Sequence, residues 1–159
     1  MNVTAHFAVA DFACKSGDPY PVDAVCGDDG RSWLEARLRP LCETLEVIRE
    51  AAGGGAIYVD SGYRTVSYDQ RLYDKSAKDG SVADPQTSQH PRGRAADIRH
   101  ESLNPRALHS LIGQLIVAGK LPRIGGFACY PRFVHIDVRP RPQSGHVAQW
   151  NGMRISNIV

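Results

Sequence analysis

Residues 88 to 97 read Ser-Gln-His-Pro-Arg-Gly-Arg-Ala-Ala-Asp, and further along comes Phe133-Val134-His135-Ile136-Asp137. Both segments set imidazole and carboxylate groups among Ala, Val, Ile and Phe. An ionised or hydrogen-bonding side chain is costly to bury in such surroundings without a partner. A divalent cation is one such partner. His90, Asp97 and His135 supply two neutral nitrogens and one carboxylate oxygen, a donor set that suits zinc and leaves a fourth position for water. Each residue also has an ordinary account of its own: His90 capping a loop, Asp97 paired with Arg94 or Arg99, His135 satisfied in a core. The metal reading rests on their joint occurrence.

For these groups to meet, strands and tight loops must carry them. Gly93 and the small pair Ala95-Ala96 suit a loop that folds back and brings His90 to a strand-borne Asp97. Within a strand Asp97 points opposite to Ala96 and Ile98, while His135 and Asp137, two residues apart, share one face. Strands are expected at residues 56–60, delivering Ser61-Gly62-Tyr63-Arg64 to a loop at one end of the sheet, and at 95–99, 124–129, 133–138 and 146–150. Leu34, Leu38, Leu41, Leu45 and Ile48 recur at helical steps. Ser32 or Asp29 caps this helix, Pro40 kinks it or starts its main part, and Gly53-Gly54-Gly55 stops it. Residues 65–77 are moderately helical and polar, and 79–89 form a loop. Asn104-Pro105 opens a further helix with Leu108, Leu111, Ile112, Leu115 and Ile116 on its apolar side and Gly119 at its end. Helices before and between hairpin-linked strands predict an α+β fold with a small antiparallel sheet.

With 159 residues, 42% of them hydrophobic, the chain is expected to build one domain over 1–159. A net charge of +2 is too mild to argue for a nucleic-acid partner. Arg132, Arg139 and Arg141 gather near the candidate site, which suits either an anionic substrate or a solvated face. The start, Met-Asn-Val-Thr-Ala-His-Phe, lacks the features of a secretory signal, and no apolar stretch approaches the ~18 residues that span a bilayer. Cys14, Cys26, Cys42 and Cys129 have no CxxC or CxxH spacing. They read as free thiols, or as a disulfide between Cys14 and Cys26 across a Gly- and Pro-rich loop that reaches Gly30. A loop of that length is expected to be functional or disulfide-pinned.

Five ordered segments now form a larger pattern: Leu45-Glu46-x-Ile48-Arg49; Ser61-Gly62-Tyr63-Arg64; Ser88-x-His90-x-x-Gly93-x-Ala95-x-Asp97-Ile98; Gly125-Gly126 to Tyr130-Pro131; and Phe133-Val134-His135-Ile136-Asp137. In this the chain resembles the zinc D-alanyl-D-alanine carboxypeptidase family, above all its murein endopeptidase-like and phage endolysin-like members. The His-x-x-Gly-x-Ala-x-Asp element is the most specific part. The resemblance implies zinc held by His90, Asp97 and His135 on an antiparallel sheet packed by helices, the hedgehog and DD-peptidase arrangement. It implies a hydrolase that cleaves peptidoglycan stem or cross-bridge peptides, as an endopeptidase or a D,D-carboxypeptidase. It also turns Arg64 toward the active site, where a guanidinium can bind a substrate carboxylate or a developing oxyanion, the alternative being a structural ion pair with Asp60 or Asp97. A monomer without a membrane span is expected, made in the cytoplasm and acting in the periplasm or cell wall after export or phage-type release.

The base is where the chain departs from the family. Many members carry an acid or a histidine shortly before the last ligand; here residues 130–134 are Tyr-Pro-Arg-Phe-Val. Asp137, beside His135 on one strand face, is the preferred base, and its alternative role is to orient an imidazole. Tyr130 can donate to an oxyanion or simply shape a turn, and His146 can enter from the next strand or lie at the surface. Ser88 is expected to contact substrate or to steady the His90 loop through backbone hydrogen bonds. A nucleophilic role for it would need a free histidine base. Trp33 and Trp150 are core or rim aromatics, or line a sugar cleft. The competing class is a zinc-containing, catalytically inactive peptidase-like binding module, or a structural virion component.

Overall fold

The computed structural model describes residues 1–27, 29–76 and 82–151. Its elements are α1 (Arg39–Ala51), β1 (Ile57–Ser61), α2 (Val66–Lys75), β2 (Ala95–His100), α3 (Pro105–Val117), β3 (Gly126–Cys129), β4 (Val134–Asp137) and β5 (Ala148–Asn151). A π-helical segment, Leu34–Leu38, runs directly into α1. Ser32 Oγ accepts from the Glu35 amide at 3.3 Å, so Ser32 is the cap, whereas Asp29 turns to Arg31. Pro40 sits in the first turn of α1, just past the π-helical segment, so its missing N–H falls where the helix changes its bonding pattern. Gly53 and Gly54 end the helix with φ of 91° and 84°, a region that a Cβ disfavours.

The other two helices start on side-chain caps. Thr65 Oγ1 accepts from the Tyr68 amide at 3.2 Å ahead of α2, and Asn104 Oδ1 accepts from the Ala107 amide at 2.9 Å ahead of α3. The expected helix at 65–77 ends at Lys75, and its last expected residue, like the opening of the 79–89 loop, lies outside the described residues.

The sheet order is β1-β2-β4-β3-β5. The first three pairings are antiparallel, and β5 joins β3 in parallel. The α+β expectation therefore holds, with a sheet that is mixed at one edge. Alternation along the strands divides the sheet into two faces. Ala96, Ile98, Phe127, Val134 and Ile136 join Leu41, Leu45 and Ile48 of α1 and Leu108 and Ile112 of α3 in one buried cluster. Asp97, Ala128, His135 and Asp137 alternate with these residues and so belong to the opposite face. Register places Asp97 directly across from His135, with Ala128 on His135's other side and Gly126 beside Asp137. No described helix is long and apolar enough to cross a membrane.

Candidate metal centre

His90, Asp97 and His135 meet. One ligand atom from each lies within 4.8 Å of the others, and all three side chains are buried. Asp97 Oδ1 is 3.3 Å from His90 Nε2 and 3.0 Å from His135 Nδ1. The outward ring nitrogens are also engaged. His90 Nδ1 lies 2.7 Å from the Gly62 carbonyl, and His135 Nε2 lies 3.1 Å from Asp137 Oδ2. When those nitrogens donate to their oxygens, the inward nitrogens are left as lone-pair acceptors, as metal-binding imidazoles require. The donor set and its outer partners therefore fit a tetrahedral zinc ion with one position open.

Two glycines make this geometry available. The Gly62 Cα lies against Phe12, where an added Cβ would come within 2.6 Å of the Phe12 Cα. This close approach sets the Gly62 carbonyl under His90. At Gly126 an added Cβ would come within 2.6 Å of Asp137 Oδ2. Glycine there leaves room for the carboxylate on the sheet face.

Arg64 projects into the centre and is heavily engaged. Its Nε donates to Ser61 Oγ at 2.9 Å, Nη1 to Asp69 Oδ1 at 3.0 Å and Nη2 to Asp97 Oδ2 at 2.7 Å. Asp69 is fully buried, and its Oδ2 has no hydrogen-bond partner among the described residues. Nothing in the sequence marked Asp69, which sits on a polar helix and is buried where it pairs with Arg64. Asp97 bonds to Arg64, while Arg99 and Arg94 go to Asp60 and Gln89.

Asp137 is fully buried and closed on both oxygens. Arg139 donates Nε to Oδ1 at 2.7 Å and Nη2 to Oδ2 at 2.5 Å, and its backbone N–H also reaches Oδ1. Burial pushes the Asp137 pKa upward, but hydrogen bonds from Arg139 and His135 outweigh it and hold the carboxyl well below the usual range. Burial likewise opposes ionisation of Asp97, and the facing His90 and His135 rings overcome it. His135 shows the complementary shift: burial lowers its pKa, while Asp137 and Asp97 together raise it above the ordinary value. Arg139 follows Asp137 by one strand repeat, the signal by which alternation alone could have paired them.

A cavity of about 530 Å³ opens over the centre. Arg64, Ser88, His90, Asp97, Tyr130 and His135 line it. The Ser88 hydroxyl is buried without a hydrogen-bond partner among the described residues, so it does not steady the His90 loop through backbone bonds as expected. Trp150 joins the wall, its ring centroid 5.3 Å from that of His135 and its Nε1 donating to Tyr130 Oη at 3.1 Å. Burial raises the Tyr130 pKa. His146 is exposed and absent from the wall. Trp33 lies behind the His90 loop, against Gly93. All four cysteines are free thiols, so no Cys14–Cys26 bridge pins the long loop.

A search of curated proteins returned no significant match. The family model described as Peptidase M15 matches residues 5–137, a stretch that runs from the first buried segment through the last strand of the metal centre, and the chain belongs to the peptidase M15 family.

Proposed function

We propose that this member of the family is a zinc-dependent peptidase that cleaves peptidoglycan stem or cross-bridge peptides. The observation that carries the reading is the buried His90–Asp97–His135 cluster at the floor of an open cavity. His90, Asp97 and His135 would hold zinc, which would supply Lewis acidity toward a peptide carbonyl and toward water. The surrounding side chains have separable tasks. Arg64 carries more N–H groups than its contacts with Ser61, Asp69 and Asp97 use, so it can donate to a substrate oxygen while still holding Asp97. Tyr130 accepts from Trp150, which leaves its own proton free to donate, and its raised pKa keeps it a phenol. It suits stabilisation of a developing oxyanion. Ser88 lines the cavity beside His90, and its buried hydroxyl has no hydrogen-bond partner among the described residues.

Asp137 takes the orienting role in this reading. A carboxylate closed by Arg139 and His135 has no oxygen free to accept a proton from water. The carboxylates that line the cavity among the described residues are also occupied, Asp60 by Arg99 and Asp97 by the centre itself. That shortage of a free base among the described residues favours the second reading, a zinc-holding module or virion component that binds peptide without turnover.

Purified protein incubated with peptidoglycan, with bound metal measured on the same sample, decides between them. Stoichiometric zinc with new amine or D-alanine ends by mass spectrometry supports the peptidase, and the released end names the bond. Zinc without fragments favours the binding module, and absence of metal overturns both.

A further inference from the structure

The long loop ahead of α1 is pinned by aromatic rings. Tyr20, Trp33 and Tyr63 form a closed triangle, with ring centroids 6.3, 5.9 and 6.1 Å apart and interplanar angles of 67°, 69° and 80°. Such edge-to-face contacts match the positive rim of one ring to the negative face of the next. The triangle is tied to the metal centre at two points. Tyr20 Oη donates to the Gly93 carbonyl at 2.5 Å, a buried contact. Gly93 adopts φ of 66° and bonds back to the His90 carbonyl through its own N–H at 3.0 Å. A Cβ at Gly93 would come within 2.6 Å of the Trp33 ring and 2.8 Å of Tyr20 Oη. The second tie runs through Tyr63, the residue after Gly62, whose carbonyl faces His90 Nδ1. Arg37 braces the assembly from outside, stacked 4.1 Å over Trp33 and donating Nη1 to the Arg92 carbonyl at 2.6 Å.

We infer that Tyr20, Trp33 and Tyr63 are positioning residues that set the His90 imidazole for metal binding. The physical reason is that His90 belongs to a turn, not to the sheet, so strand register cannot hold it as it holds Asp97 and His135. Two groups must be fixed: the turn that carries His90 and the carbonyl that orients its ring. The triangle touches both and does so with rigid rings. It gives residues 20–33, at a distance in sequence from every ligand, a purpose at the centre. The inference rests on the metal site of the proposed function and is independent of turnover.

The test compares two buried hydroxyl deletions. Tyr20→Phe removes only the bond to Gly93. Thr44→Val removes a comparable bond within α1, from Thr44 Oγ1 to the Pro40 carbonyl at 2.8 Å, away from the centre. Zinc affinity is read by chelator competition, and melting temperature on the metal-free proteins. Tyr20→Phe is expected to weaken zinc binding about tenfold, the lower end for an outer partner of a metal site, while Thr44→Val leaves it unchanged at a similar loss of melting temperature. Gly93→Ala is expected to weaken binding in the same direction. Equal zinc affinities for wild type, Tyr20→Phe and Gly93→Ala would overturn the positioning role while leaving a zinc peptidase standing. Weakened binding in a protein that releases no peptidoglycan fragments would support the positioning role and overturn the peptidase.

Discussion

Arg139 grips Asp137 with two nitrogens, Nε on Oδ1 and Nη2 on Oδ2, and so decides what that carboxylate can do. The remaining direction open to Asp137 leads to His135 Nε2. A carboxylate in that position fixes the tautomer of a ligating imidazole and raises its basicity. Asp137→Asn keeps the shape and removes the charge. It is expected to weaken zinc binding about 10- to 100-fold, read by chelator competition. Unchanged affinity with hydrolysis abolished would instead make Asp137 the base.

Arg64 and Asp69 form a second relationship with a measurable consequence. Asp69 is fully buried and, among the described residues, its side chain pairs with Arg64 alone, so truncating the arginine strands a charge in the interior. Breaking a buried pair by removing one partner costs about 3–5 kcal/mol. Arg64→Ala is therefore expected to lose that much in urea unfolding of the metal-free protein, and Arg64→Ala with Asp69→Asn to recover part of it. Arg99→Ala, which opens the exposed pair with Asp60, is expected to leave the unfolding midpoint nearly in place. A double variant no more stable than Arg64→Ala would refute the account.

The candidate metal ligands were legible as a group because burial makes polar residues conspicuous. Asp97 and His135 interrupt apolar strands, and alternation put both on the face away from Ile98 and Ile136 before any register was known. The start of the helix at Asn104-Pro105 was legible for a local reason, a side chain acting within three residues of itself, and the first helix's cap was narrowed to Ser32 or Asp29. What escaped was tertiary. The pairing of β5 with β3 in parallel depends on where the chain returns after residue 138, and no local pattern carries that direction. Asp69 looks like any solvated helix residue until Arg64 reaches it. Trp33 read as a core or rim aromatic or as the wall of a sugar cleft, and Tyr20 was not singled out at all, since their contact and bond to Gly93 cross some 60 to 70 residues of sequence.

The centre should also make metal-free stability depend on pH. The His135 pKa is raised in the folded chain by Asp137 and Asp97 against the opposing effect of burial. Between the ordinary imidazole value, ~6.5, and the raised one, the folded state holds a proton that the unfolded state has released. Stability then falls as pH rises through that window and is fully present below it. Zinc needs the same nitrogen deprotonated, so its affinity rises over the same window. Melting curves of metal-free wild type and His135→Asn across this range are expected to converge as pH rises. A constant gap would show that no proton is held there. His109, whose burial lowers its pKa, titrates below the window and does not mask the trend.

Tyr130 offers the sharpest separation between chemistry and metal binding. Its hydroxyl accepts from Trp150 Nε1 and lies on the cavity wall with Arg64, while none of its hydrogen bonds reaches His90, Asp97 or His135. Removing the hydroxyl therefore deletes a donor without disturbing a ligand. Its ring stacks on Phe133 at 4.5 Å between centroids, so Tyr130→Phe keeps the packing. Loss of one donor to an oxyanion lowers kcat by about 10²- to 10³-fold where that donor is well placed. Tyr130→Phe is expected to lose turnover on that order on a peptidoglycan substrate, with zinc content and KM close to wild type. A rise in KM at constant kcat would make Tyr130 a ground-state binding contact, because an interaction equally strong before and during the reaction cannot lower the barrier between them.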